Sequence, residues 1–213
     1  MDKIISIEQF KGLLKDGMSI MVGGFMACGT AEPLMDAIVD SRVKDLTIIC
    51  NDAGLSDMGV GKLINFLQVK KLIASHIGLN PTAQKQILLG ELEVELVPQG
   101  TLAERIRSGG AGLGGVLTKT GLGTIVAEGK DVIKVDGEDF LLEKPLKADM
   151  TILRGSFVDS YGNVIYSGTT RNFNPVMATA GEIVVVWAES MDESLDKEKI
   201  MTPHVFVDYI VRN

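Results

Sequence analysis

The sequence predicts an α/β fold in which an open, mostly parallel sheet carries flanking helices and the second half of the chain turns β-rich. Three observations lead there. Through residues 18–98, short apolar runs alternate with amphipathic stretches, the rhythm of parallel strands joined by crossover helices. The first run ends in Gly23 and Gly24, and Pro33 stands where the next helix opens. Beyond residue 110 the helical spacing fades, and Asp-Gly and Tyr-Gly-Asn turn signals separate strand-like runs.

Each element has its own warrant. Residues 6–17 begin with a capping box, Ser6 and Gln9, and place Ile7, Phe10 and Leu14 on one helical face before Gly17. Residues 18–24 form a continuous apolar run closed by glycines, the pattern of a buried strand. Thr30 or Glu32 is placed to cap the next helix, with Pro33 in its first turn and Leu34, Met35, Ile38 and Val39 as its apolar stripe. The alternation continues with strands at 45–52, 69–77 and 92–98 and helices at 59–68, 80–90 and 101–108. A hairpin is expected in 132–145 around Asp136-Gly137, and 148–168 adds a strand and a second hairpin at Tyr161-Gly162-Asn163. Residues 181–189 read as another buried strand. With no fixed-period repeat and no linker, residues 1–213 are expected to form one domain.

Composition narrows the function. A net charge of -7 and the absence of a basic run argue against a nucleic-acid partner, because phosphate binding relies on clustered Lys and Arg. Cys28 and Cys50 have neither CxxC spacing nor a histidine cluster, so no disulfide framework or zinc site is expected and a reducing cytoplasm fits. Early charges at the N-terminus do not suit a signal peptide, and no run of about 18 apolar residues suggests a membrane helix.

The turn at 22–33 delivers backbone N–H groups and a helix N-terminus to one place, an arrangement suited to a phosphate, carboxylate or carbonyl oxygen. The same glycines would equally serve close packing of the helix on the sheet. Seven more glycines fall within 109–123; Gly110, Gly112 and Gly115 match GxGxxG, but they follow a helix where a dinucleotide site would follow a strand. Glycines there can instead supply backbone donors to an oxyanion. The stretch 59–63 fails as a phosphate loop, since no glycine stands five residues before Gly61 and Leu63 replaces the Ser or Thr. Cys28 could be a nucleophile with His76 or His204 as base, yet nothing local pairs them. Glu91, Glu93 and Glu95 alternate in a strand-like run and are assigned to its solvent face, and the charged run 191–199 to a solvated surface. No catalytic acid, base or nucleophile is legible in this chain.

Three segments in order, 16–30 (DGMSIMVGGFMACGT), 97–124 (VPQGTLAERIRSGGAGLGGVLTKTGLGT) and 170–175 (TRNFNP), resemble the alpha subunit of two-component short-chain acyl-CoA transferases. The resemblance runs through nearly the whole chain. It departs where relatives have Gly-x-Pro, since Pro33 here comes four residues after Gly29, and where many have Pro-Ala-Phe in place of Gly114, Gly115 and Val116. It implies the sheet shared with sugar-phosphate isomerases, and CoA transfer between acetyl-, butyryl- or acetoacetyl-CoA and a free carboxylate such as acetate. It further implies a beta-subunit partner, usually in an alpha2beta2 assembly, whose glutamate is the nucleophile. No metal or organic cofactor is implied, because CoA is itself the transferred group. Gly24, Phe25, Met26, Ala27, Cys28, Gly29 and Thr30 match the family's CoA-binding segment. Gln99 matches a glutamine beside the reactive glutamate, and Gly112, Gly114 and Gly115 are expected to line the same cleft. Alternatives on the same fold are an acyl-CoA-binding sensor and a stand-alone isomerase or hydrolase.

Overall fold

The computed structural model describes residues 3–212. Strand β1 (Ile4–Ile5) leads to helix α1 (Ile7–Lys11). The expected capping box is present: Ser6 Oγ accepts from the Gln9 N–H at 3.1 Å, and Gln9 Oε1 accepts from the Ser6 N–H at 2.9 Å. The helix ends sooner than its periodicity suggests, because the chain tightens to i−3 bonds, Leu13 N–H to Phe10 O and Leu14 N–H to Lys11 O. Phe10 and Leu14 are buried all the same.

The alternation follows as β2 (Ser19–Val22), α2 (Glu32–Ser41), β3 (Leu46–Cys50), α3 (Val60–Asn65), β4 (Val69–Ala74), α4 (Pro81–Leu89), β5 (Glu93–Leu96) and α5 (Gln99–Gly110). Helix α2 departs from its expected cap. Ala31 occupies the N-cap position with no side-chain bond. Thr30 Oγ1 instead donates to Gly23 O at 3.0 Å, while Glu32 accepts from the Gly59 N–H at 2.7 Å and pairs with Lys62 at 2.8 Å. Both side chains tie the helix entrance to neighbouring loops.

The second half holds β6 (Val116–Thr118), β7 (Val132–Val135), β8 (Glu138–Glu143), β9 (Ala148–Val158), β10 (Val164–Ile165), α6 (Asn174–Met177), β11 (Gly181–Met191) and β12 (Tyr209–Val211). The main sheet has the order β1-β12-β11-β9-β2-β3-β4-β5, with every neighbouring pair parallel and β10 antiparallel to β9. A second, antiparallel sheet has the order β6-β8-β7. Its β7–β8 hairpin turns at Asp136 (φ 49°) and Gly137 (φ 84°), as the Asp-Gly signal requires.

Both faces of the main sheet are covered, which is why its strands read as continuous apolar runs. Ile20, Ile48 and Leu72 point to one core with residues of α1, α2, α3 and α4; their chain neighbours Met21, Ile49 and Ile73 point to the other with α5 and α6. From β2 the chain moves outward through β3, β4 and β5, whereas β9, β11 and β12 extend the opposite way. The order therefore switches between β2 and β9, where open α/β sheets bind ligands beyond the strand ends.

Candidate active site

The glycine turn lies at that switch point. Past Gly23 and Gly24, Phe25 and Cys28 exchange two backbone hydrogen bonds, each 2.9 Å. The two central residues, Met26 (φ 48°) and Ala27 (φ 64°), are left-handed although neither is glycine. This has the form of a type I′ turn. Left-handed backbone at a residue with a Cβ costs about 1–2 kcal/mol, so the surroundings must hold it.

They do so from two sides. From the end of β3, Asp52 Oδ2 accepts the Met26 N–H at 2.8 Å, while Asp52 Oδ1 accepts the Gly54 N–H at 2.9 Å. From the loop before α6, Asn172 Oδ1 accepts the Gly24 N–H at 3.1 Å, and its Nδ2 donates to Cys28 O at 2.9 Å. Asn174, fully buried, donates from Nδ2 to Gly29 O at 3.0 Å and accepts the Arg154 N–H at 3.1 Å. Asn174 and Thr30 explain the glycines. A Cβ on Gly23 would lie 2.0 Å from Asn174 Oδ1, and one on Gly24 would lie 2.0 Å from Thr30 Oγ1.

Helix α5 supplies the facing wall. Pro98 ends the preceding strand connection and Gln99 is the first helical residue, with Oε1 hydrogen-bonded to Ser75 Oγ. A cleft of about 770 Å³ runs between this helix and residues 171–176, and Phe25, Gln99, Arg107, Arg171, Asn172 and Phe206 are among its lining. Its walls carry two arginines and no Asp or Glu. Phe25 is half exposed into this space, as befits an apolar ligand surface.

The structure thus gathers Phe25 and Gln99 at one cleft, and Phe25 is the residue of the Gly24–Thr30 segment in its lining. Met26 is exposed, and Gly24, Ala27 and Thr30 face a much smaller space beside Asp52 instead of the cleft. Gly112, Gly114 and Gly115 are elsewhere: Gly110 and Ala111 are the last residues of that stretch to line the cleft. The chain turns away there into β6, and a Cβ on Gly115 would come within 2.6 Å of Glu143 O in the small sheet. Cys28 Sγ lies 3.0 Å from Thr169 Oγ1, whereas His204 contacts Asn163 and Tyr161. Cys50 is buried, and that burial, with the charge of Asp52, holds its thiol well above the ordinary range.

Glu95 shares a face with Glu93, where Lys71 pairs with both, but it is only partly exposed and joins a larger group of charges. Glu95 accepts from Arg105 Nη1 at 2.7 Å, and Arg105 Nε stands 3.9 Å from Glu143, which is itself buried and paired with Lys130 at 2.6 Å. Burial pushes the Glu95 carboxyl up, but the Arg105 hydrogen bond and the charges of Arg105, Lys71 and Lys130 outweigh it and leave it below the ordinary range. The pattern of alternation could not show this, since Arg105 and Glu143 come from other elements.

Asp52, Asn172 and Asn174 are the residues that spacing alone missed. Among the described residues, no group of His, Cys, Asp or Glu could hold a metal ion, and no helix is long and apolar enough to cross a membrane.

Comparison with known proteins places this geometry. Residues 5–213 match the family model described as coenzyme A transferase. The acetoacetyl-CoA:acetate/butyrate CoA transferase alpha subunit of Clostridium acetobutylicum is 56% identical over 212 residues, covering 99% of this chain and 97% of that one. The acetate CoA-transferase subunit alpha of Escherichia coli K12 is 47% identical over 211 residues, 98% of this chain and 96% of that one. The fold matches a crystal structure of an acyl-CoA transferase from E. coli O157:H7, a thioester complex with CoA, with a TM-score of 0.86 at 21% identity. All of this chain is covered, spanning 47% of that longer one. Glutaconate coenzyme A-transferase from Acidaminococcus fermentans aligns with a TM-score of 0.83 at 19% identity, over 99% of this chain and 75% of that one.

Proposed function

Because the chain belongs to the coenzyme A transferase family, we propose that it is the alpha subunit of a two-component enzyme moving CoA between a short-chain acyl-CoA and a free carboxylate. Acetoacetyl-CoA is a donor and acetate and butyrate are acceptors, as the names of the relatives suggest; butyryl- and acetyl-CoA are then the donors of the reverse transfers. The observation that carries the reading is the cleft lined by Phe25 and Gln99 without an acidic side chain. A glutamate-based transfer at this cleft then takes its nucleophile from a second chain.

In that scheme the beta subunit's glutamate attacks the thioester carbonyl, forming a mixed anhydride and releasing CoA thiolate. The thiolate attacks the glutamyl carbonyl, giving an enzyme-bound CoA thioester and the first free acid. A second carboxylate reverses both steps, so the cycle is covalent and ping-pong. This chain contributes the cleft wall: Gln99 orients the acyl carbonyl, the turn at Gly24–Thr30, its Gly24, Phe25, Met26 and Cys28 N–H groups bonded within the protein, presents Phe25 to the ligand, and the apolar walls limit water. CoA is the substrate and no other cofactor takes part. We place the enzyme in the cytoplasm as an alpha2beta2 assembly. A sensor or stand-alone isomerase finds no support among relatives named as transferase subunits.

The test is acetate-dependent CoA exchange from butyryl- or acetoacetyl-CoA, comparing this chain alone with the complex recovered from its native cell. Exchange confined to a complex with a second chain is expected. Exchange by the lone chain would overturn the assignment of the nucleophile to a partner.

A further inference from the structure

We propose that Arg171 binds the carboxylate of the free acid that receives CoA, a proposal that rests on the transferase reading above. The chain carries a net charge of -7, yet the cleft lining includes Arg107 and Arg171 and no carboxylate. Such a cleft focuses a positive field inside an acidic protein and draws in anions.

The two arginines are not equivalent. Arg107 lies on α5 eight residues beyond Gln99, about 12 Å further along at 1.5 Å per residue, and its Nε is 3.2 Å from both oxygens of Glu104. Arg171 has no acidic partner among the described residues, and its backbone is anchored at the glycine turn. Asn172 Nδ2 bonds Thr169 O at 2.7 Å, and Asn174 Nδ2 bonds Thr170 O at 2.7 Å. The same two asparagines hold Gly24, Cys28 and Gly29. The base of the Arg171 side chain is therefore fixed relative to the turn, and its planar fork suits two parallel bonds to a carboxylate. The phosphates of CoA are separated from its sulfur by the pantetheine arm, so they fall away from this end of the cleft. A cation at the turn faces the small acid instead.

Ping-pong kinetics of the assembled complex reads each substrate separately. Replacing Arg171 with Gln is expected to raise KM for acetate by about ten- to a hundredfold, the range for losing a charge-assisted pair. KM for the acyl-CoA should stay within about twofold, and Arg171→Lys should restore part of the acetate affinity. An unchanged acetate KM overturns the proposal, and so does a rise confined to acyl-CoA, which would assign Arg171 to a phosphate. Equal loss of kcat with both substrates, together with a lowered Tm, would assign it a structural role and overturn it too. If the Gln variant does not assemble, the Lys variant decides, since loss of the planar fork must still raise KM for acetate alone. Absence of exchange in the unsubstituted complex would instead remove the transferase reading, and this proposal with it.

Discussion

At Gly24 the backbone sits at φ 135°, and any side chain would collide with Thr30 Oγ1, the hydroxyl that holds Gly23 O. Cys28, four residues on, is exposed, and its thiol contacts the Thr169 hydroxyl, which is no base for it. Substitution separates the two roles. Gly24→Val should lower CoA exchange by at least about a hundredfold, since a displacement of about 1 Å at a reacting group can have that effect, whereas Cys28→Ala should stay within about threefold. Full activity in the valine variant with an inactive alanine variant would reverse the assignment. The glycines of this turn were legible in the sequence, because glycine at the end of a buried strand is a strong signal. Their partners were not: Asn172 is 148 residues from Gly24, and Met26-Ala27 carries no turn signal because its left-handed shape is imposed by Asp52 and the asparagines.

The elements of the main sheet were legible for the opposite reason, that burial on both faces writes a continuous apolar run into each strand. The failures were short or masked. Strands β1 and β12 have only 2 and 3 residues, too few for a period, and Gly100 hid the true start of α5 at Gln99. The small sheet was legible as a hairpin, but its attachment was not. Glu143 on β8, buried, reaches Lys130 and Arg105, and Arg105 Nε also donates to Lys144 O at 2.8 Å. Removing one member of such a group leaves charge without its partner. Glu143→Gln should therefore destabilise by about 2–4 kcal/mol and raise amide exchange in β6, β7 and β8 before the main sheet. Uniform exchange across both sheets would show that this group does not hold the small sheet on its own.

For the whole molecule, Glu95 couples that attachment to pH. Its carboxyl is held below its ordinary value of 4.5 in the folded chain. The contribution is complete above that value and is lost as pH falls through the lower folded one. Glu95→Gln should consequently flatten the acid limb of stability below about pH 4.5 while changing little near neutrality beyond a constant offset; partial exposure of Glu95 keeps the effect modest. Urea midpoints measured between pH 3 and 7 would show it, and parallel curves for both proteins would refute it.

The seam between β2 and β9 has a consequence in time. Met21 pairs with Thr151 and Ile20 with Met150, so the two halves of the main sheet join only after a long loop closes, and distant parallel pairings of this kind form slowly. The candidate active site is built across that seam. A half-folded chain can own most of its strands and still present no cleft, so ligand binding by this protein reports closure of the seam and not the mere presence of its strands.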